Sequence, residues 1–196
     1  MKRLLIALGG NALIKDGQAG SFSEQMQNLR IPISQIARLC RDYRIVITHG
    51  NGPQVGNILI QQESTDAVPR MPLEICVAQT QGQIGYMIES TLDNELAKVG
   101  EDTRCVTIIT YVVVDPDDDA FKNPSKPVGP YYTEEQVWTR PYRFFKTARG
   151  YRRIVASPKP RMIVQKQEIA KLLDYGYIVI ACGGLLLRTH KCTCTQ

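Results

Sequence analysis

Residues 5–14 read LIALGGNALI, and residues 44–57 read RIVITHGNGPQVGN. Each stretch opens as an apolar run of strand character, breaks into glycines beside an asparagine, and resumes as a candidate helix. Glycine lets main-chain N–H groups face a ligand with no Cβ in the way, and a helix N-terminus adds roughly half a positive charge at the same point. Either turn alone is also the ordinary way for an α/β chain to reverse direction. Two of them, each with an Asn that can donate and accept, point to a pocket gripping one small anion. The candidate residues are Gly9, Gly10 and Asn11 from the first turn and Gly50, Asn51 and Gly52 from the second.

Strand-like runs at 3–8, 44–48, 104–114 and 177–182 alternate with segments of helical period, which predicts an α/β fold with a mostly parallel sheet covered by helices. In the first helical segment Leu29, Ile33, Ile36 and Cys40 share a face, and Pro32 either starts the main helix or kinks it. From Pro72 to Lys98, Leu73, Val77, Ile84, Met87, Ile88, Leu92 and Leu96 recur at helical spacing as a core stripe. Gly82 and Gly85 on that helix would let another backbone come close.

With 196 residues and 43% hydrophobic content the chain can bury a substantial core. Its basic, apolar start is broken by Gly-Gly-Asn, and no run reaches membrane-spanning length, so a buried first strand in a cytoplasmic protein is expected, not a leader or an anchor. Six cysteines, most of them single within apolar segments, suggest neither a disulfide framework nor a zinc site. Cys40, Cys76, Cys105 and Cys182 read as small core residues. The net charge of +5 gathers around residues 140–161, interleaved with Tyr142, Phe144, Phe145 and Tyr151. That spacing matches no nucleic-acid-binding signature, and the run Lys146, Arg149, Arg152, Arg153, Lys159, Arg161 reads first as a solvated face or as partners for nearby acids.

After the third strand the texture changes to DPDDDAFKNPSKPVGPYYTEEQVW (115–138), an excursion from the sheet of the kind that forms lids. Asp115, Asp117, Asp118 and Asp119 lack the Gly and distal Glu of a calcium loop and read as a solvated turn. No metal site is expected. Lys126 stands between Pro124 and Pro127, where a stiffened loop can hold its ammonium in place for an anion.

Read in order, LIALGGNALI, THGNGPQVGN, MPLEICVAQTQGQIGYMIE, KNPSKPVGPYYTEE and RGYRRIVASPKP resemble a carbamate kinase of the amino-acid kinase superfamily, from about residue 3 to Gly184. The resemblance implies a three-layer α/β/α fold with a protruding subdomain, a homodimer, and reversible phosphoryl transfer between carbamoyl phosphate plus ADP and carbamate plus ATP, with Mg2+ accompanying the nucleotide. It implies that Gly9, Gly10, Asn11, Gly50, Asn51 and Gly52 hold carbamate or carbamoyl phosphate, and that Lys126 reaches over as the catalytic cation. His49, before the second turn, is open to either a structural hydrogen bond or a substrate contact. The expected organisation is an acid-binding lobe at 1–114 and 150–184 with a lid subdomain at 115–149.

Two departures stand out. After YIVIACGG the family pattern continues with further glycines and a nucleotide-binding half, whereas here LLLRTHKCTCTQ follows, so 185–196 is expected to be an aberrant tail, with the ATP-binding lobe absent and the chain inactive alone. Between Glu134 and Gly150, Pro141 and Phe144-Phe145 replace the longer polar helix the family pattern leads one to expect. Two alternatives stay open: a non-catalytic remnant that dimerises or binds small anions, and a related kinase acting on another small acid.

Overall fold

The computed structural model describes residues 1–184 and the backbone of 187–189, with backbone alone at Asn11. In chain order its elements are β1 (Lys2–Leu8), α1 (Phe22–Leu39), β2 (Tyr43–His49), α2 (Gly52–Glu63), α3 (Leu73–Lys98), β3 (Cys105–Thr107), β4 (Val112–Val114) and β5 (Lys126–Tyr132). There follow α4 (Glu134–Trp138), β6 (Phe144–Thr147), β7 (Gly150–Val155), β8 (Pro160–Ile163), α5 (Lys166–Asp174), β9 (Ile178–Ile180) and β10 (Leu187–Thr189).

The main sheet runs β1-β2-β9-β3 and is parallel throughout. Alternation along β2 sends Ile45 and Ile47 to one face, where they pack with Ile178 and Ile180 under Leu29, Ile33 and Ile36 of α1 and Ile84, Met87, Ile88 and Leu92 of α3. The opposite face carries Val46, Val106 and Val179, covered by Leu173 and its neighbours on α5. Helices on both faces of a parallel sheet make the three layers expected.

Pro32 sits inside α1 and does not start it. The start is set by a capping box: Glu24 N donates to Ser21 Oγ at 3.3 Å, and Ser21 N donates to the Glu24 carboxylate at 2.8 Å. On α3, a Cβ added at Gly85 would overlap the Thr107 side chain of β3, whereas Gly82 faces open space, so of the two only Gly85 permits a close approach.

The run 104–114 is not one strand. Its pairing with β9 ends where Ile108 N donates to Ile180 O at 2.9 Å. Two residues on, the buried Gln81 side chain of α3 takes both backbone groups of Thr110: Thr110 N donates to Gln81 Oε1 and Gln81 Nε2 donates to Thr110 O, each at 2.9 Å. A side-chain amide thus substitutes for a neighbouring strand, and the chain turns into β4, which joins a separate sheet of order β10-β4-β8.

Residues beyond β4 leave the sheet and return at β8. The neck is closed by Arg161 on Asp115 and by Lys159 N donating to Asp118 Oδ2 at 3.0 Å. Asp118 also accepts from Ala120 N, and these two amides hold its carboxyl below the usual range. The acidic cluster therefore builds turns, and among the described residues no group of three or more His, Cys, Asp or Glu could hold a metal. Beyond the neck stands a three-stranded antiparallel sheet, β5-β7-β6. It includes Gly150–Val155, so the small sheet runs past the 115–149 bounds drawn from composition. The short helix α4 gives way to β6 at Phe144, where Phe144 packs edge-on against Tyr132 at 5.3 Å between centroids.

Leu187–Thr189 lie parallel to β4. The rest of the 185–196 segment, including Cys192 and Cys194, lies outside the described residues. Cys40 and Cys76 are buried, and Cys105 and Cys182 partly so; all four are free thiols. No described helix is long and apolar enough to cross a membrane.

Candidate functional site

Parallel strands deliver their loops to the same edge of a sheet, which is where α/β proteins place ligands. Here β1 and β2 pair in register, with Leu8 opposite His49, and Gly50 N donates to Leu8 O at 3.1 Å. The two Gly-Asn turns therefore leave neighbouring strands side by side. A Cβ built at Gly9, Gly10, Gly50 or Gly52 would meet nothing within 4 Å, so the space above both turns is open.

The turns are not equivalent. Asn51 and Gly52 open the 12-residue helix α2, with Val55 N donating to Asn51 O at 2.9 Å, so the second turn carries a helix dipole. The first is followed by a single 3₁₀ turn at Gly10–Ala12, and α1 starts only at Phe22. The apolar ALI after the glycines is helical in composition, but Leu13 turns into the core and its carbonyl accepts from Asn28 Nδ2 at 3.0 Å. The first turn can offer amides without a helix dipole behind them.

Asn51 does not cap its own helix. Its Nδ2 donates to Thr80 Oγ1 of α3 at 2.9 Å, which fixes the side chain. Behind it runs the segment that follows β9, where a Cβ at Gly183 would overlap the His49 ring and one at Gly184 would overlap the Asn51 amide. These two glycines hold the second turn in place, a role that the sequence reading did not assign; the signal was another Gly-Gly at the end of a strand-like run. His49 is buried, its Nδ1 lies 3.2 Å from Gly50 O, and burial pushes its imidazole below the ordinary value, so a neutral ring donates to the turn. That is a positioning role. Cys182, just before the glycines, takes a left-handed backbone (φ 59°) in which its N–H donates to Thr110 Oγ1 at 2.9 Å.

Lys126 is the first residue of β5 and pairs with Val155 of β7, so it is held by a ladder and not by a loop. It lines a cavity of about 290 Å3 together with Asn51, Gly52, Glu74 and Arg152, over walls that include Val55, Val77 and Val128. The structure thus brings Lys126 and the second turn to one cavity. Of the second turn it is Asn51 and Gly52 that reach the cavity; Gly9, Gly10 and Gly50 are not among its lining residues.

The small sheet is seated on α2. A Cβ at Gly56 would lie 3.7 Å from the Cα of Gly129, whose φ of +72° suits glycine. Further along, Glu63 pairs with Arg140 at 2.9 Å in a half-buried bridge and accepts from the Tyr132 hydroxyl at 3.4 Å. Much of the basic run is absorbed by rings: Arg153 stands 3.8 Å over Tyr142, Lys146 5.5 Å over Tyr151, and Arg152 5.4 Å over Tyr131.

A sequence model of the amino acid kinase family matches residues 2–193. The chain belongs to the amino acid kinase family. Within it, the chain is similar to a carbamate kinase of Thermococcus kodakarensis, 47% identical over 197 residues that cover 94% of this chain and 62% of the relative. Among solved structures it is similar to a carbamate kinase of Giardia lamblia, with a TM-score of 0.89 and 40% identity over 97% of this chain and 65% of that one. A Giardia lamblia carbamate kinase bound to AMP-PNP gives 0.88 and 38%, over 97% of this chain and 63% of that one. The chain spans about three-fifths of the length of these relatives.

Proposed function

We propose that this chain supplies the acid side of a carbamate kinase site, in which a phosphoryl group passes between carbamoyl phosphate and ADP. One observation carries the reading: two Gly-Asn turns leave adjacent in-register strands, and Lys126 lines the same cavity as the second of them. The carbamate end of the ligand sits over the amides of Gly9, Gly10 and Asn11 and of Gly50, Asn51 and Gly52. The phosphoryl end lies under the Lys126 ammonium.

The P–O bond to the carbamate oxygen breaks while a P–O bond to the terminal phosphate oxygen of ADP forms. Such a transfer asks the protein for alignment and charge neutralisation more than for covalent chemistry. The positive end of α2 steadies the carbamate oxygens, and Lys126 offsets negative charge on the equatorial phosphoryl oxygens. Mg2+, when bound with nucleotide, would add neutralisation at the phosphates, and no described residue is assigned to it. ATP or ADP is held, in this reading, by residues beyond those described. The same reading carries a homodimer, which light scattering checks, and a cytoplasmic location, which cell fractionation checks.

Isothermal titration with carbamoyl phosphate tests the proposal, beside a coupled ATP-forming assay with ADP. Binding without turnover above background is expected of this chain; no binding at all refutes the reading. The walls Val55, Val77 and Val128 favour a second reading, an acid with an aliphatic tail. A longer acyl phosphate that binds more tightly than carbamoyl phosphate would select it.

A further inference from the structure

Among the cations of the 146–161 run, Arg152 alone lines the cavity with Lys126, Asn51 and Gly52. The β5–β7 ladder sets its place: Lys126 lies opposite Val155, and Val128 lies opposite Arg153. Arg152 Nη2 donates to the carbonyl of Gly129 at 3.0 Å, and its guanidinium stands 5.4 Å from the Tyr131 ring centroid. A side chain held in this way binds with little further loss of rotamer freedom. Its Nε is buried and has no acceptor among the described residues. Guanidinium keeps its proton at any ordinary pH, so the N–H groups that Gly129 does not take are permanent donors. Neighbouring cations differ: Arg153 and Lys146 lie over rings, and Arg161 pairs with Asp115. Glu74, the carboxylate on the cavity wall, is exposed, and no ion pair joins it to Arg152 among the described residues.

We infer that Arg152 is a second substrate-binding cation, whose guanidinium donates to a phosphoryl oxygen of the small acid while Nη2 braces Gly129. The inference rests on the phosphoryl reading of the cavity and adds a residue to it. Lys126 supplies a point charge at the exposed mouth, and Arg152 supplies a directed donor from the wall. Their summed charge, against one carboxylate, favours the dianion of the ligand over its monoanion.

Titration of the full chain with carbamoyl phosphate across the pH range of the ligand's second ionisation tests it. R152Q should bind about tenfold more weakly or worse, and should lose part of the tightening that accompanies formation of the dianion. R152K, which keeps the charge but not the directed N–H, should keep the pH preference and bind several-fold more weakly. If R152Q loses its native circular dichroism, R152K decides, and affinity equal to wild type overturns the inference. A uniform loss in R152Q with an unchanged pH profile marks a brace only and also overturns it. Wild-type protein that fails to bind sinks both this inference and the phosphoryl reading, whereas wild-type binding matched by R152Q sinks this one alone.

Discussion

Gly52→Ala should stabilise the ligand-free protein and weaken its grip on the anion, two effects of opposite sign from one methyl group. The backbone of Gly52 is not left-handed, and a Cβ there would meet nothing within 4 Å. It is the first residue of α2, so alanine brings no strain and removes freedom from the unfolded chain, a gain of about 0.4–1 kcal/mol. For a chain of this length that is a rise in Tm of roughly 1–4 °C. The same methyl would project into the space where the second turn meets the cavity shared with Lys126. Pushing an anion off the end of α2 forfeits amide contacts worth about 1.5–3 kcal/mol, or roughly tenfold to a hundredfold in Kd. Scanning calorimetry reads the first effect, and titration with carbamoyl phosphate reads the second. A lower Tm would show that the turn is packed and not open; unchanged affinity would show that the ligand sits elsewhere, and either result refutes the reasoning.

Lys126→Ala should cost tenfold or more in affinity with little change in Tm, since its side chain is exposed, whereas Arg153→Ala, over Tyr142, should move Tm more than Kd; the reverse order in titration and melting would overturn the assignment. Gly183→Ala should destabilise by about 1–3 kcal/mol because its Cβ must displace a buried His49 ring, a loss that urea denaturation measures. Glu63→Gln should loosen the small sheet from α2, read as faster amide exchange in 126–155, because it leaves the Arg140 guanidinium half-buried without its carboxylate. Because the folded protein holds His49 neutral, the unfolded chain takes up a proton below about pH 6.5 before the folded one does. Its contribution is complete above that pH and falls away as pH drops through the depressed value, so Tm should decline on acidification, and His49→Asn should flatten that limb.

What could be read from the residues was what depends on local pattern. The stripe from Val77 to Leu96 and the alternation of β2 each state a period, and burial follows it. The two Gly-Asn turns were legible because a strand ending in glycine is a backbone statement, and their adjacency follows from a parallel pairing that short loops and crossover helices favour. The errors fall where a side chain stands in for backbone. Nothing in the period of 104–114 shows that Gln81, far away on α3, takes over the Thr110 amide and splits the run between two sheets. Nor could spacing show that the Tyr131, Tyr142 and Tyr151 rings absorb Arg152, Arg153 and Lys146. The capping box at Ser21 and Glu24 was readable, whereas Pro32 left a start and a kink equally open.

The same distinction orders the site. Gly9, Gly10, Gly50 and Gly52 have room for a Cβ, so packing does not demand glycine at those positions, and in the proposed reading access for a ligand does. Gly183 and Gly184 have no such room, because His49 and Asn51 fill it. One set of glycines keeps space empty and the other allows space to be filled, and substitution separates them by sign: a methyl at Gly52 costs binding while a methyl at Gly183 costs stability. A cradle built in this way is rigid from behind and open in front. The proposed phosphoryl transfer would draw on that arrangement, since donors that must reorganise during a reaction give back much of what they stabilise.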